Sequence, residues 1–354
     1  MALDLSGLTV YTEAATGSFA STAALAVAGG AETVYAFADD SSYGTVKEAH
    51  EHTKSLVSAV GSTEPLALLS EKRPEEIGEA DVITNTGFVR PIDETMVSWM
   101  KPTAAVPLMF EPWEFREDDI AIEACWKHGI PVLGTDESDE RVQTQSYLGA
   151  LAMKLAFECE LEVFNGSYVV VGGGQMALSV VETLDSMDAE VTMVASEINA
   201  DGVAERRDTR YLNDEIAQTA LKTADGLILI EHAQKGSIIG PTGQLSAVEL
   251  ADINEHLTII HICGAVDEDA LERAGLLVYP ENPAPAGKMT VTTGYLGPQP
   301  VVDLHAAGLK VGEELARRRL EGKDLEATLS IVRGHSLAKD FGEDFYAERN
   351  QSPY

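Results

Sequence analysis

Basic residues are scarce in this chain. Its 354 residues include 25 lysines and arginines against 58 aspartates and glutamates, a formal net charge of −33. Nucleic acid and anionic membrane surfaces repel such a polyanion, so neither is expected as a partner. Cysteine is equally sparse: Cys125, Cys159 and Cys263 stand far apart, odd in number and outside any paired metal-binding spacing. That argues against a disulfide scaffold and agrees with a reducing cytoplasm. No apolar run reaches membrane-spanning length, and no basic stretch followed by an apolar one marks the N-terminus. Neither a membrane protein nor a secreted one is expected. Histidine-rich or aspartate-rich metal spacing is missing too, so no metal site is expected. Internal repeats and low-complexity tracts are also absent.

What remains is a globular composition, 45% hydrophobic and long enough for two domains with separate cores. The acids are spread along the chain rather than gathered in a tail, which argues against a disordered extension. In balance they resemble cytoplasmic proteins of salt-loving archaea, where concentrated salt screens the self-repulsion. Acidic loops such as 137–140 are expected to be solvated.

One stretch organises the rest. Tyr168 to Val171 favour a β-strand, Gly172-Gly173-Gly174 follow, and an amphipathic segment begins at Gln175 with Met176, Leu178, Val180, Val181, Leu184 and Met187 at helical spacing. A second apolar run, Val191 to Ala195, completes strand, turn, helix, strand. The small positions Gly172, Gly174 and Ala177 read as G-x-G-x-x-A. Gly172 permits the tight turn, Gly174 admits a pyrophosphate against the backbone, and Ala177 lets the helix pack on its strand. The helix N-terminus at Gln175 and Met176 offers free N–H groups to phosphate. A glycine turn of an ordinary parallel α/β domain is the alternative.

Elsewhere strands and helices alternate, as a parallel sheet with helices on its faces requires. Expected strands are 8–11, 33–38, 66–69, 80–84, 103–109, 130–133, 226–230, 257–262, 276–279 and 290–293. Expected helices include 18–29, 47–60, 118–128, 142–160, 213–223 with Asn213 as N-cap, 246–255, and a final one from Pro298 to about Arg319. The polar tail from His335 is expected to pack loosely. The domains are expected at 1–141 (flavodoxin-like α/β, substrate-binding), 142–300 (dinucleotide-binding) and 301–354 (a helix and tail returning to the first).

The order of these pieces resembles the D-2-hydroxyacid dehydrogenases, which include formate, glycerate and phosphoglycerate dehydrogenases. The resemblance runs over roughly residues 80 to 320. It rests on IAIEACWKHGIPVLGT at 120–135, the glycine turn, Ala224 to Leu229, Leu245 to Leu250, and Val266-Asp267-Glu268-Asp269-Ala270-Leu271. Glu281-Asn282-Pro283 and Thr293-Gly294-Tyr295-Leu296-Gly297 stand where the family has its Glu-Pro and Thr-Pro-His-Ile-Gly signatures. The resemblance implies two Rossmann-like domains and hydride transfer with NAD or NADP on a small-molecule substrate; a homodimer is the expected assembly. It also marks departures. The family's substrate-holding arginine falls at Ile262-Cys263-Gly264-Ala265, its histidine at Tyr295, and its glutamate at Glu281, shifted by one. Its glycine-rich substrate loop is replaced by Glu111-Pro112-Trp113-Glu114-Phe115-Arg116.

The candidate residues follow. At the end of the second Rossmann strand, Ser196 leaves room for a 2′-phosphate that Arg206 or Arg207 could neutralise, favouring NADP over NAD; those arginines could equally pair with surface acids. A proton donor is needed at the reacting heteroatom. Tyr295 could serve if a nearby cation lowers its pKa, with Lys288 close in sequence. His261 and His232, each after a parallel strand, are rivals, or else cap and support neighbours. Glu281 would orient the donor. Arg90 and Arg116, on loops after strands, would hold a substrate anion. Trp113 would stack a flat substrate, and Glu111 and Glu114 would meet a cationic or polyhydroxylated one. The expected function is an NAD(P)-dependent oxidoreductase on a small polar carbonyl, hydroxy-acid or imine. The alternatives are a nucleotide-binding sensor or partner protein without hydride chemistry, and an enzyme that retains NAD for internal redox, as adenosylhomocysteine hydrolases do.

Overall fold

The computed structural model describes residues 1–195, 208–232 and 236–349. The chain divides into two compact units, Met1–Gln143 with Pro298–Tyr354, and Thr144–Gly297. Among the described residues no helix is long and apolar enough to cross a membrane.

The first unit begins with β1 (Thr9–Glu13), α1 (Ser21–Ala28), β2 (Thr33–Phe37), α2 (Val46–Val60), β3 (Leu66–Leu69), α3 (Pro74–Glu79) and β4 (Val82–Ile83). It continues through α4 (Glu94–Trp99), β5 (Val106–Pro107), α5 (Ile122–Lys127) and β6 (Val132–Thr135). Strands pair in parallel in the order β3-β2-β1-β4, and a parallel bridge from Val82 to Ala105 leads on to β5 and β6. The chain thus runs outward from β1 to one side, then returns to build β4, β5 and β6 on the other. Such a reversal is a topological switch point, and it lies between β1 and β4. α2 is held at its start by a capping box, Thr45 with Glu48.

The second unit comprises α6 (Tyr147–Glu158), β7 (Ser167–Val171), α7 (Gly174–Asp185), β8 (Glu190–Val194), α8 (Glu215–Leu221) and β9 (Gly226–Ile230). β10 (Ser237–Ile239), α9 (Ala247–Ile253), β11 (Thr258–Cys263), β12 (Ala265–Val266), α10 (Glu268–Arg273) and β13 (Leu277–Tyr279) follow. The main sheet is wholly parallel, β13-β11-β9-β7-β8, with its switch point between β7 and β9. Next to β8, where a doubly wound sheet carries one more strand, the described residues show only a bridge from Val194 to Thr209. The strands are buried on both faces, which is why β9 reads as an unbroken apolar run and β11 as one interrupted by His261.

The chain then returns to the first unit as α11 (Gln299–Leu320), α12 (Leu325–Val332), β14 (Ala338–Lys339) and α13 (Glu343–Glu348). β14 adds antiparallel to β6. Gly308 and Gly312 let α11 lie close on the sheet: a Cβ at Gly312 would stand 2.6 Å from Val82 Cγ1 and 2.9 Å from Pro107 Cγ.

Several expectations are corrected. Residues 290–293 form no strand; Met289 makes a single antiparallel bridge to Cys263. The cap of α8 is Asp214, not Asn213. Over its described residues, 335–349, the tail is not loose. Phe341, Phe345 and Tyr346 join Phe115 and Trp126 in an edge-to-face cluster, with Phe341 stacked on Phe345 at 4.3 Å.

Candidate functional site

The glycine turn sits at the switch point of the second unit. A Cβ at Gly172 would stand 2.8 Å from the Ile230 carbonyl carbon, so the neighbouring strand excludes any side chain there. The Gly172 N–H donates to the Val194 carbonyl at 3.0 Å, tying the turn to β8. Gly174 adopts φ +63°, a left-handed conformation that glycine takes without strain. Ala177 is fully buried where α7 meets the sheet. α7 starts at Gly174, with Gly173 as its N-cap and no side-chain oxygen capping it. Its first-turn N–H groups, at half-buried Gln175 and Met176, are therefore unclaimed by any side-chain cap. That is an anion cradle of the kind that takes a pyrophosphate. Ser196, Arg206 and Arg207 lie outside the described residues.

The proton-donor candidates stand differently from expectation. His261 lies within β11 and is fully buried. Its Nε2 is 2.7 Å from the Gly264 carbonyl oxygen, which can only accept, so Nε2 carries the proton. Its Nδ1 is 2.5 Å from Thr290 Oγ1, whose hydroxyl accepts from the Ala284 N–H at 2.7 Å and so donates to the ring. Both nitrogens are used, and burial pushes the imidazole pKa below its ordinary value. Through these bonds His261 ties the 280–290 segment to β11. His232 is half-buried after β9 and is not free.

Tyr295 is 43% exposed, and its hydroxyl donates to Glu158 at 2.6 Å; Tyr279 donates to the same carboxylate at 2.5 Å. A cation is indeed near, but it is Lys154, 3.6 Å from the ring centroid and donating to the Tyr295 carbonyl. The carboxylate, by holding the phenol proton, moves the Tyr295 pKa upward, opposite to the direction expected. Glu281 is exposed and hydrogen-bonds neither His261 nor Tyr295.

In the first unit one expected anion ligand, Arg90, is paired, and the other, Arg116, is only loosely engaged. Arg90 Nη1 donates to Asp119 Oδ2 at 2.8 Å, and Arg116 Nη1 stands 3.8 Å from the same oxygen. Glu111 is a brace: its buried carboxylate accepts from Trp113 Nε1 at 2.7 Å, from the Glu137 N–H at 3.2 Å and from Lys339 at 3.0 Å. Trp113 remains 47% exposed. Burial raises the Glu114 carboxyl to about 7, against the opposing pull of a hydrogen bond with Glu137 and of Arg116. Glu137 is buried, not solvated as expected, because the Glu111 brace draws its backbone inward.

Two residues here went unread in the sequence. Glu13 ends β1 at 3% exposure, and its Oε2 accepts from the Phe88 N–H at 3.0 Å. It forms no ion pair among the described residues, and burial pushes its carboxyl up to about 7. Asn85, just after β4, is 1% exposed; its Oδ1 accepts from the Met109 N–H at 2.7 Å, while its Nδ2 has no partner. A signal was available for Glu13: an acid closing a run of β-favouring residues, Thr9 to Thr12. Among the described residues no group of three His, Cys, Asp or Glu is placed to hold a metal.

A family model, NAD_binding_7, described as putative NAD(P)-binding, matches residues 161–238. No curated protein matches the chain in sequence. Similar solved structures include a dipicolinate synthase from Bacillus halodurans, 13% identical with TM-score 0.53, covering 86% of this chain and 96% of that one. A dipicolinate synthase from Bacillus subtilis is 11% identical with TM-score 0.52, covering 92% and 98%. A 2-hydroxyacid dehydrogenase from Ketogulonicigenium vulgare is 13% identical with TM-score 0.49, covering 90% and 96%. At these identities the likeness is one of fold: two Rossmann-like α/β units with parallel sheets, the second similar to putative NAD(P)-binding domains.

Proposed function

We propose that the chain is an NAD(P)-dependent oxidoreductase acting on a small polar carbonyl, hydroxy-acid or imine substrate. The carrying observation is the turn Gly172-Gly173-Gly174, which opens onto the uncapped N-terminus of α7 at the switch point of the second sheet. The family match over residues 161–238 supports the same reading. Fluorescence titration with NADH and NADPH tests it. Gly174→Val puts a branched side chain at φ +63° where a pyrophosphate would approach the backbone. Gln175→Glu puts a carboxylate into the first turn of α7, favourable to the helix and repulsive to phosphate. Binding should weaken by roughly tenfold or more in both variants, about 1.4 kcal/mol or more. Undiminished binding by both, or no binding by the wild type, removes the reading.

The hydrogen bonds that hold Tyr295 and His261 favour a second reading, a nucleotide-binding protein without hydride chemistry. Mass spectrometry of the purified chain, with a substrate screen against oxidised and reduced cofactor, separates the two. A tightly retained NAD would instead support internal redox.

A further inference from the structure

The first unit has its own switch point, between β1 and β4, and two unusual side chains stand at it. Glu13 ends β1, and the segment after β4 wraps around it: the Phe88 N–H donates to its Oε2 at 3.0 Å, and a Cβ on Gly87 would lie 3.1 Å from the same oxygen. That segment is pinned by a run of buried hydroxyls, Thr84 to Thr12 at 2.9 Å and Thr84 to Thr86 at 3.0 Å. Its Asn85 keeps an unpartnered, buried Nδ2.

A carboxylate removed from water is retained only when a cation or several donors compensate it. Glu13 has one backbone donor and no ion pair among the described residues. The nearby guanidinium of Arg90 is occupied by Asp119 at 2.8 Å. Among the described residues no cation pairs with it, so the carboxyl either holds a proton near neutral pH or takes its counter-charge from a ligand. Parallel α/β sheets take ligands at such a strand-end crevice, so the missing cation is read as part of a ligand.

We propose that the first unit binds its substrate through a cationic nitrogen, an amine or iminium, placed against Glu13, so that Glu13 selects for nitrogen-bearing substrates over simple 2-oxo or 2-hydroxy acids. This deepens the oxidoreductase reading and rests on it, since it narrows the substrate to the amine–imine couple. The Arg90–Asp119 pair agrees, because a site for a dianion such as dipicolinate, named in the two Bacillus structures, would need that guanidinium free.

The test uses the full chain and Glu13→Gln, which keeps an oxygen to accept from the Phe88 N–H while removing the charge. If Glu13 awaits a ligand cation, the variant should melt higher than wild type near neutral pH, because an uncompensated buried charge has gone. If it melts lower, Glu13 is a structural brace and the proposal fails. Calorimetry would then compare matched amino, hydroxy and oxo acids, together with simple amines. Wild type should bind amines in preference to their oxygen counterparts, and Glu13→Gln should lose roughly tenfold or more of that affinity. No binding by any amine, or binding unaffected by the substitution, overturns the proposal. NADH and NADPH titrations in parallel should be unchanged by Glu13→Gln, so failure here stays distinguishable from failure of the nucleotide reading.

Discussion

At the scale of single residues, the chain's histidines show what a residue type conveys and what it withholds. His261 is visible in the sequence as a histidine near a strand end, which fits catalysis and support equally. Its role is decided by Thr290 and Gly264, and the Thr290 contact crosses 29 positions. Tyr295 is an extreme case: its partner Glu158 lies 137 positions away, so neither the partner nor the sign of the pKa change is local information. His261→Gln should therefore lower the melting temperature while leaving nucleotide affinity within about twofold, since the ring supports backbone and need touch no ligand. Acid should act in the same direction through a second buried ring. His305 is 4% exposed and hydrogen-bonded through Nδ1 to Thr22 Oγ1, and burial lowers its pKa to about 4. A depressed folded-state pKa means the unfolded chain takes up the proton first. The stability present above about pH 6.5 is then lost as pH falls toward about 4, on the order of 3 kcal/mol for His305 alone. Melting curves from about pH 7 to about pH 4.5 check this, and His305→Gln should flatten part of the slope.

At the scale of elements, order and type were legible and closeness was not. Short apolar runs and 3.6-residue patterns locate β7, α7, β9, β11 and α11 within a few residues, because buried parallel strands and amphipathic helices leave dense apolar signals. The two-residue strand β5 lies inside a longer apolar stretch and β4 between Asp81 and Thr84, and both are shorter than the strands expected there. The tail was misread because its polar average conceals Phe341, Phe345 and Tyr346, which act together with residues more than 200 positions away. Gly149 likewise gives no sequence signal, being one glycine within an apolar helix. Yet a Cβ there would stand 2.6 Å from the Ser179 carbonyl oxygen and 2.7 Å from Thr183 Cβ, so α6 and α7 are in near backbone contact. Gly149→Ala should overpack this crossing at a cost of about 1–3 kcal/mol, despite alanine's better helix propensity. Denaturant titration measures it. A neutral or stabilising result would mean that the helices separate freely, and nucleotide binding by the variant would show whether the α7 N-terminus moves with them.

At the scale of the whole molecule the surplus of acid is the dominant fact, and here the sequence alone suffices. Even with every lysine and arginine paired, 33 carboxylates lack a side-chain cation. The cations that exist are drawn into local pairs, such as Lys101 with Asp81 at 2.6 Å and Lys310 with Glu313 at 2.7 Å. The remaining acids repel one another over a distance that salt sets, about 3 Å at 1 M and about 10 Å at 0.1 M. Lowering the salt across that range should lower the melting temperature, since the folded chain holds the carboxylates closer together than the unfolded one does. Salt also strengthens apolar burial, so a rise in melting temperature alone would not identify screening. The two effects part in a charge variant. Glu64, Glu190 and Glu255 are exposed, and Glu64→Gln, Glu190→Gln and Glu255→Gln together remove three negative charges and leave the core untouched. If self-repulsion governs, this variant should be the more stable at about 0.1 M and should converge on wild type at about 1 M. If apolar burial governs, the two curves should run parallel across the whole range. A wild-type melting temperature that stays flat would show that the charge is merely tolerated.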